Sequence, residues 1–381
     1  ASDVYKRQVH FNENNDLLTR AQIYVGKISA LMNPLTYVII NGAIVVLVWT
    51  GAVRVDNGYI TQGEVVALIN YMSQILVELV KLANLIININ KSIACGNRIQ
   101  SIFEMQPSIT DGSGQKVDKV QTDTADRSEE AEYAVEFSHV GLTYAGAGDE
   151  SLTDIDFKVK KGETIGIIGG TGSGKSSVVN LIPRFYDVTS GFIKVDGKDV
   201  KDYPLEELRG KIGTVLQKAV LFHGTIRENL KWGNPDATEE DLNRAITVAQ
   251  AKEFVDNKEG RLDFEIEQGG KNLSGGQRQR LTIARAVVKK PEILILDDSA
   301  SALDFATDAA LRKAIREMEG ETTVFIVSQR AASIQHADRI VVLDDGKIVG
   351  LGTSEELLES CEVYQEIYNS QFKKQEGGKT A

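Results

Sequence analysis

Cysteine is scarce in this sequence: Cys95 and Cys361 are the only two among 381 residues. They lie far apart, and neither belongs to a CxxC pair or to a cluster with one of the four histidines. A disulfide framework needs several spaced cysteines, and a structural zinc site needs four cysteine or histidine ligands. The sequence therefore favours neither, and we expect two ordinary buried or interfacial thiols in a reducing compartment.

An excess of basic residues is also missing. The chain has 43 Lys and Arg against 54 Asp and Glu, which gives a formal net charge of -11 at pH 7. Nucleic acids and anionic membrane surfaces are both recognised through a basic face, so neither is expected as the main partner. A phosphate ligand must therefore be held locally, by a few positioned groups.

The first residues contain no apolar core of a signal peptide. Residues 1–8 read ASDVYKRQ and do not lead into the apolar pattern that follows. The string resembles the translation of a transposon-end adapter used in library preparation, although a natural polar segment is the alternative. We expect residues 1–8 to be a non-native leader and the chain to be the C-terminal fragment of a longer protein.

Charge is absent from residues 28–53, which lie between Lys27 and Arg54. As a helix this run extends for about 39 Å at about 1.5 Å per residue, which is enough to cross a bilayer. A buried core helix is the alternative, but so long an uncharged run, with Trp49 near one end, is typical of a transmembrane helix.

A second apolar stretch, residues 63–90, follows a polar turn at residues 56–58. Glu78 and Lys81 interrupt it and lie on one helical face. Charges inside a span face a bundle interior or a watery cavity, and a position near the membrane interface is the alternative. We predict a second span with a polar side.

Composition changes again at the end of this helical region. Residues 106–133 are rich in Asp, Ser, Gly, Thr and Lys and are predicted to be a linker. From residue 134 to residue 372, short β-type runs alternate with helical stretches, which is the pattern of an α/β domain. Residues 373–381 are polar and are predicted to be a disordered tail.

A phosphate-binding loop follows the apolar strand that ends at Ile168. It matches GxxxxGK[ST] from Gly169 to Ser176, with a strand before and a helix after. Glycines let the backbone curl so that successive N–H groups face phosphate oxygens, the lysine reaches the outer phosphates, and the serine ligates Mg²⁺. The residues assigned to this loop are Gly169, Gly170, Thr171, Gly172, Ser173, Gly174, Lys175, Ser176 and Ser177.

Two further motifs accompany this loop. The buried-type strand ILILD ends in Asp297, a carboxylate placed to hold Mg²⁺ directly or through water. Between the two lies a Ser-Gly-Gly turn that opens a helix and forms a second anion-binding helix N-terminus. Its residues are Ser274, Gly275, Gly276 and Gln277.

Together, LSGGQ, QRLTIARA and ILILD resemble the ABC transporter family. The resemblance implies a P-loop NTPase fold with a helical subdomain, with ATP and Mg²⁺ as cofactors. It implies head-to-tail pairing of two such domains. Each ATP then lies between the phosphate-binding loop of one domain, which the family calls the Walker A loop, and the LSGGQ motif of the other domain. Carried over to this sequence, it assigns Tyr144 to adenine stacking, Gln217 to the Q-loop and Mg²⁺, and Asp304 to the D-loop.

The upstream part is similar to the exporters of the same family. Residues 9–105 look like the last two of six transmembrane helices and their cytoplasmic extensions. The resemblance implies a multi-pass protein of the cell membrane, with its nucleotide-binding domain in the cytoplasm and a bacterial source.

Two positions depart from the hydrolytic members of the family. The strand that ends in Asp297 is the Walker B motif of the family. Those members have a glutamate directly after this aspartate, whereas this chain has Asp298, whose side chain is one methylene shorter. A shift of about 1 Å in a catalytic group costs on the order of 10²-fold in rate. Where they have a switch histidine, this chain has Gln329, which donates hydrogen bonds but does not relay a proton.

These changes leave the Walker A loop and the LSGGQ motif intact. The resulting hypothesis is one half of a heterodimeric exporter of small amphipathic substrates, drugs or lipids, whose partner carries the Walker B glutamate. The expected surroundings are a lipid bilayer, without nucleic acid. The alternative is a homodimeric slow ATPase or nucleotide sensor that regulates a membrane assembly.

Overall fold

The computed structural model describes the backbone of residues 2–105, 107–112, 132–299, 302–318 and 321–376. It divides into two units, Ala1–Pro107 and Ser108–Ala381, and each is described by itself. Residue 106 and residues 113–131, most of the predicted linker, lie outside the described residues.

The first unit is a pair of long helices, α1 (Ser2–Asp56) and α2 (Gln62–Phe103). Both contain a segment long and apolar enough to cross a membrane, namely Pro34–Asp56 and Gln62–Phe103. The helices extend beyond the predicted spans at 28–53 and 63–90. Because α1 begins at Ser2, residues of the predicted leader are helical.

The connection between these helices is short and well defined. Thr61 caps α2, and Glu64 reaches back to the Thr61 N–H at 2.7 Å, which forms a capping box. Gly51 is buried where the helices meet, since a Cβ there would lie 2.9 Å from Cγ1 of Val65. Lys81 and Glu78 pair at 2.7 Å on an exposed face of α2.

The second unit contains two main sheets and a set of helices. Its strands are β1 (Tyr133–Leu142), β2 (Leu152–Lys160), β3 (Thr164–Gly169), β4 (Ser190–Val195), β5 (Lys198–Asp199), β6 (Ile212–Val215), β7 (Gly224–Thr225), β8 (Glu265–Ile266), β9 (Ile293–Asp297), β10 (Thr323–Val327), β11 (Arg339–Asp344) and β12 (Lys347–Gly352). Its helices are α3 (Lys175–Leu181), α4 (Leu205–Lys211), α5 (Ile226–Lys231), α6 (Glu239–Val248), α7 (Lys252–Asp256), α8 (Gly275–Val287), α9 (Phe305–Arg316), α10 (Ala331–Ile334), α11 (Ser354–Ser360) and α12 (Glu362–Glu376).

The larger sheet has the order β12-β11-β3-β10-β9-β6. Its strands pair in parallel except for β12, which runs antiparallel to β11. Strands β9 and β3 are almost wholly buried, as expected for parallel strands covered on both faces. Val327 at the end of β10 pairs with Ile167 on one side and Asp297 on the other. The carboxyl ends of β3, β10 and β9 therefore meet at one edge.

The smaller sheet is antiparallel, with the order β2-β1-β4-β5. Its inner face shares a core with the larger sheet, and the rings of Phe137 and Phe157 stack there at 4.6 Å. A second core joins helices α5, α6 and α8 to the other side of the larger sheet. A third lies beneath α11 and α12, where Tyr364 is fully buried. These cores hold the strand ends in fixed positions.

Two features of the described chain differ from the predicted organisation or refine it. Helix α12 continues to Glu376, so the predicted disordered tail at 373–381 is wrong for its first residues, which the helix includes. The two thiols differ in environment, because Cys361 is buried while Cys95 is exposed on α2.

Candidate functional site

The glycine-rich loop lies between β3 and α3, as the sequence predicts. Gly172 and Gly174 adopt left-handed backbone conformations, with φ of 87° and 92°. L side chains rarely adopt these values, so glycine is required at both turns. Gly169 is constrained differently, because a Cβ there would lie 2.1 Å from the carbonyl oxygen of Leu343.

Lys175 is held within this loop. Its Nζ donates to the carbonyl oxygen of Gly169 at 3.0 Å, and only 8% of the residue is exposed. Burial lowers the pKa of this ammonium group, and the carboxylates of Asp298 and Asp297 partly oppose that effect. A buried cation of this kind favours the approach of an anion.

Ser176 and Asp297 bring two oxygen ligands together. The Ser176 hydroxyl donates to Oδ1 of Asp297 at 3.0 Å, although the two residues belong to α3 and β9. Asp297 is 5% exposed, and burial raises the pKa of its carboxyl group, while the serine bond lowers it. The structure therefore places two of the predicted Mg²⁺ ligands within hydrogen-bond distance of each other.

Asp298 follows directly after β9 and points to the Q-loop. Its backbone is left-handed, with φ of 45°, and its N–H donates to the Val327 carbonyl oxygen at 2.9 Å. The Gln217 side chain donates from Nε2 to Oδ2 of Asp298 at 3.2 Å. Burial raises the pKa of this carboxyl group, and the bond from Gln217 is the largest opposing effect.

Tyr144 lies at the other end of the loop. Its hydroxyl donates to Oγ of Ser177 at 2.9 Å, and its ring forms a T-shaped pair with the ring of Tyr186, with the ring centroids 4.9 Å apart and the ring planes at 87°. Two contacts of different kinds therefore fix this aromatic side chain.

These groups surround one cavity of about 640 Å³. Its wall takes in the predicted aromatic, the loop, the Q-loop, both Walker B carboxylates and the switch residue. The predicted residues on the wall are Tyr144, Thr171, Gly172, Gly174, Lys175, Ser176, Ser177, Gln217, Asp297, Asp298 and Gln329. The remaining predicted loop residues, Gly169, Gly170 and Ser173, belong to the same segment of chain but do not line the cavity.

The other predicted residues form a second, separate group. Ser274 caps α8 in a capping box with Gln277, and a Cβ at Gly276 would lie 3.2 Å from the Ala302 carbonyl oxygen. Asp304 caps α9 by accepting from the Thr307 N–H at 2.9 Å. All of these residues are described, and none lies on the wall of the cavity. The predicted site residues therefore fall into two separate groups within one copy of the chain.

Sequence reasoning missed Gln371, which contacts the loop after β10. Its side chain bonds to the backbone at Gln329 and at Ala331, 42 and 40 positions earlier. In the sequence, Gln371 is only one polar residue of an amphipathic helix, and it belongs to no recognisable motif.

Two family models match the chain, one over each of its two units. Residues 152–301 match the ABC transporter model, which contains the glycine-rich loop and both Walker B carboxylates. Residues 6–79 match the ABC transporter transmembrane region. The chain belongs to the ABC transporter family.

Several ABC proteins are similar to this chain. An uncharacterized ABC transporter ATP-binding protein of Mycobacterium bovis is 39% identical over 364 residues, which are 95% of this chain and 61% of that protein. An ATP-dependent lipid A-core flippase of Vibrio vulnificus is 34% identical over 344 residues, or 90% of this chain and 57% of that protein. The chain thus spans about three fifths of the length of the curated relatives it matches.

A solved structure shares the architecture. A bacterial Atm1-family ABC exporter with ATP bound matches with a TM-score of 0.73 and 28% identity, over 90% of this chain and 59% of that one. The predicted fold class, an ABC-type P-loop domain preceded by transmembrane helices, is confirmed. This ABC protein is a membrane protein with its nucleotide-binding domain in the cytoplasm, and the relatives named are bacterial.

Proposed function

We propose that this chain is one half of a heterodimeric ABC exporter, and that its own ATP site binds nucleotide durably but hydrolyses it slowly. The observation that carries the proposal is the mixed content of one cavity wall. Lys175 and Ser176 retain the phosphate- and metal-binding residue types, while Asp298 and Gln329 replace the two hydrolytic ones.

The cavity suits ATP with Mg²⁺. Its volume of about 640 Å³ is typical of small-molecule sites. The Ser176 hydroxyl and the Asp297 carboxylate, 3.0 Å apart, are the oxygen ligands that Mg²⁺ prefers. When bound, the metal ion neutralises charge on the phosphate oxygens. Lys175 and the backbone N–H groups of the loop bind the phosphates, and Tyr144 stacks on the base.

Slow hydrolysis follows from the position of Asp298. Its side chain is one methylene shorter than glutamate, and Gln217 holds its carboxylate at 3.2 Å. A base must reach the attacking water within hydrogen-bond distance, and a shortfall of about 1 Å lowers the rate on the order of 10²-fold. Gln329 binds a terminal phosphate oxygen but has no ionisable ring to move a proton.

The need for a partner follows from the two separate half-sites. Within Ser274–Gln277, the capping box uses the N–H groups of the first and last residues, whereas Gly275 and Gly276 begin α8 and have no intrahelical acceptor for theirs. None of these residues lies on the cavity wall of its own copy. In a head-to-tail pair they complete the ATP site of the partner. This chain therefore supplies an intact signature to a partner that carries the catalytic glutamate, and hydrolysis at that second site resets the transporter.

The transported substrate is proposed to be amphipathic and lipid-like or drug-like. One similar protein is named as a lipid A-core flippase, which acts on a lipid. The ion pair of Glu78 and Lys81 gives α2 a polar position within its apolar segment, suited to an aqueous path beside the bilayer.

A homodimeric slow ATPase or nucleotide sensor is the second candidate. It is favoured by one observation: the chain carries both half-sites, so two copies suffice to complete two ATP sites. The candidates differ in catalytic asymmetry, because a homodimer gains nothing from a glutamate-bearing partner.

The deciding experiment measures ATP binding and turnover by the purified full chain, alone and mixed with an exporter half that has Glu after its Walker B aspartate and His at its switch position; a half encoded beside this chain's gene is the first to test. Our proposal expects tight binding with negligible turnover alone, and at least tenfold higher turnover in the mixture. Brisk turnover by the chain alone would exclude the heterodimer.

A further inference from the structure

Gln371 uses its whole side-chain amide on the loop that carries Gln329. Its Nε2 donates to the carbonyl oxygen of Gln329 at 2.7 Å, and its Oε1 accepts from the N–H of Ala331 at 2.9 Å. The two bonds enclose a single residue, Arg330. They join α12 to the loop after β10, although about forty residues separate them in sequence.

The geometry of the loop matches a primary amide. Arg330 is extended, with φ of -101° and ψ of 116°. Around an extended residue, the preceding C=O and the following N–H point to the same edge, as they do in a β-ladder. The amide of Gln371 offers a coplanar donor and acceptor to that edge. It also satisfies the Ala331 N–H, which begins α10 and has no intrahelical acceptor.

Helix α12 is a firm support for this contact. Tyr364 is fully buried, and its hydroxyl lies 2.8 Å from Oγ of Ser354. The rings of Tyr364, Tyr368 and Phe372 follow one another along the helix at 6.2 and 4.3 Å. Phe372, the residue after Gln371, packs against the third core. The amide therefore extends from an anchored helix face.

The opposite end of the loop is fixed by the sheet. The Ser328 N–H donates to the carbonyl oxygen of Ile167 in β3 at 3.1 Å. The Arg330 N–H donates to Oγ of Ser328 at 2.9 Å. Strand β10 thus fixes the start of the loop, and the two bonds from Gln371 fix its end.

We infer that Gln371 is a positioning residue for the switch: it holds the Gln329 backbone so that its side chain meets the terminal phosphate of a bound nucleoside triphosphate. This inference rests on the proposed function of the cavity. It makes the C-terminal helix part of the nucleotide sensor, because a shift of α12 moves the switch, and a bound triphosphate restrains α12 in return.

Loss of Gln371 should weaken the binding of a nucleoside triphosphate but not that of a diphosphate. Gln329 contacts the terminal phosphate, which ADP lacks. Loss of the two hydrogen bonds from Gln371 therefore weakens only the triphosphate complex. A hydrogen bond to a charged group is a strong one, and a displaced donor loses much of it. We expect Gln371→Ala to speed release of ATP about tenfold and release of ADP less than twofold.

The experiment uses the full chain with Mg²⁺ and ribose-labelled fluorescent ATP and ADP, with release followed by stopped flow. Gln365→Ala is the matched control, because Gln365 lies on the same helix and donates to the Leu358 carbonyl oxygen at 2.8 Å, away from the switch. It should leave both release rates unchanged. Gln371→Glu, which keeps the acceptor but loses the donor to Gln329, should behave like Gln371→Ala and preserves the helix.

Hydrogen–deuterium exchange provides an independent readout. In Gln371→Ala, the Ala331 amide should exchange at least about tenfold faster, while amides around Tyr364 keep their protection. Faster exchange with unchanged ATP release would overturn the inference and leave the proposed function intact. Equal acceleration of ATP and ADP release would reduce Gln371 to a structural contact. Brisk turnover by the wild-type chain would instead refute the proposed function, whatever the exchange shows.

Discussion

The side-chain amide of Gln217 donates to Oδ2 of Asp298 at 3.2 Å, so the Q-loop holds the second Walker B carboxylate. Asp298 also has a left-handed backbone, with φ of 45°, which directs its short side chain. A carboxylate that is both short and engaged has little freedom to reach a water molecule near the terminal phosphate. This pair of residues is the physical basis of the proposed slow site.

Lengthening the carboxylate should restore part of the activity. Asp298→Glu is expected to change ATP affinity less than about twofold and to raise single-turnover hydrolysis at this chain's own site about tenfold to 100-fold, because the base regains its reach. Asp298→Asn, similar in size but not basic, is the control and should fall below wild type. An unchanged rate in Asp298→Glu would mean that Gln329 or the partner's signature limits hydrolysis.

The switch residue should act together with this carboxylate. Gln329→His alone is expected to raise turnover less than about threefold, because the base is still short. Combined with Asp298→Glu, it should exceed the product of the single effects, since groups that act as a unit are not additive. A double-mutant cycle of single-turnover rates measures the coupling, and strict additivity would argue against a joint role.

Magnesium dependence should distinguish two neighbouring hydroxyl groups. Ser176 contacts Asp297, whereas Ser177 contacts Tyr144. Ser176→Ala is expected to raise the Mg²⁺ concentration needed for half-maximal ATP binding at least about tenfold, as losses around metal sites do. Ser177→Ala should leave it within about twofold. With EDTA present, neither variant should differ from wild type, and a difference there would point to misfolding.

The aromatic ring of Tyr144, rather than its hydroxyl group, should carry the affinity for the base. Tyr144→Phe removes only the bond to Ser177 and should weaken ATP binding less than about threefold. Tyr144→Ala removes the stacking surface and should weaken it about tenfold or more, since stacking a base on an aromatic ring contributes about 1–3 kcal/mol. Fluorescence titration with labelled ATP measures both. Equal losses would assign the affinity to the hydroxyl instead.

A surface ion pair should make the stability of the nucleotide-binding domain slightly dependent on pH. The hydrogen bond to Asp154, 2.6 Å from Nδ1, raises the pKa of His139 above its usual value. The folded state therefore favours the protonated ring, and this stabilisation is complete below about pH 6.5 and lost as pH rises through the folded pKa.

The test compares melting temperatures at about pH 5.5 and about pH 8.5. His139→Gln should lower the melting temperature only at the acidic pH, and added salt should reduce the difference because the pair is exposed. Asp154→Asn should reproduce the effect. A loss of equal size at both pH values would assign His139 a role in packing.

Much of the cassette was predictable from sequence because its signals are local. The apolar strand TIGIIG runs directly into the glycine-rich loop, and the strand ILILD ends in Asp297. Parallel strands place those residues at a common edge, where Ser176 contacts Asp297 and Lys175 lines the same cavity. The first span was likewise evident from the absence of charge over residues 28–53, and the second from an apolar stretch that only Glu78 and Lys81 interrupt after residue 64.

The parts that escaped prediction depend on distant contacts. No local pattern shows that β10 lies between β3 and β9, because strand order is decided by how crossovers pack. Gln371 meets Gln329 only because α12 packs on the third core. The helix through Glu376 was missed because KKQE is polar, while the apolar residues that anchor α12 lie earlier, at Tyr364, Tyr368 and Phe372.

The central place of β10 also sets the order in which the cassette matures during synthesis. The glycine-rich loop and the Walker B strand leave the ribosome first, yet they acquire their spacing only when β10 enters between them, pairing Val324 with Thr164 and with Leu294. Pairings between such distant segments form late, because a long stretch of chain must close. A nascent chain that ends before Thr323 therefore carries both motifs without the strand that lies between them, so nucleotide binding is expected only after β10 has joined the sheet.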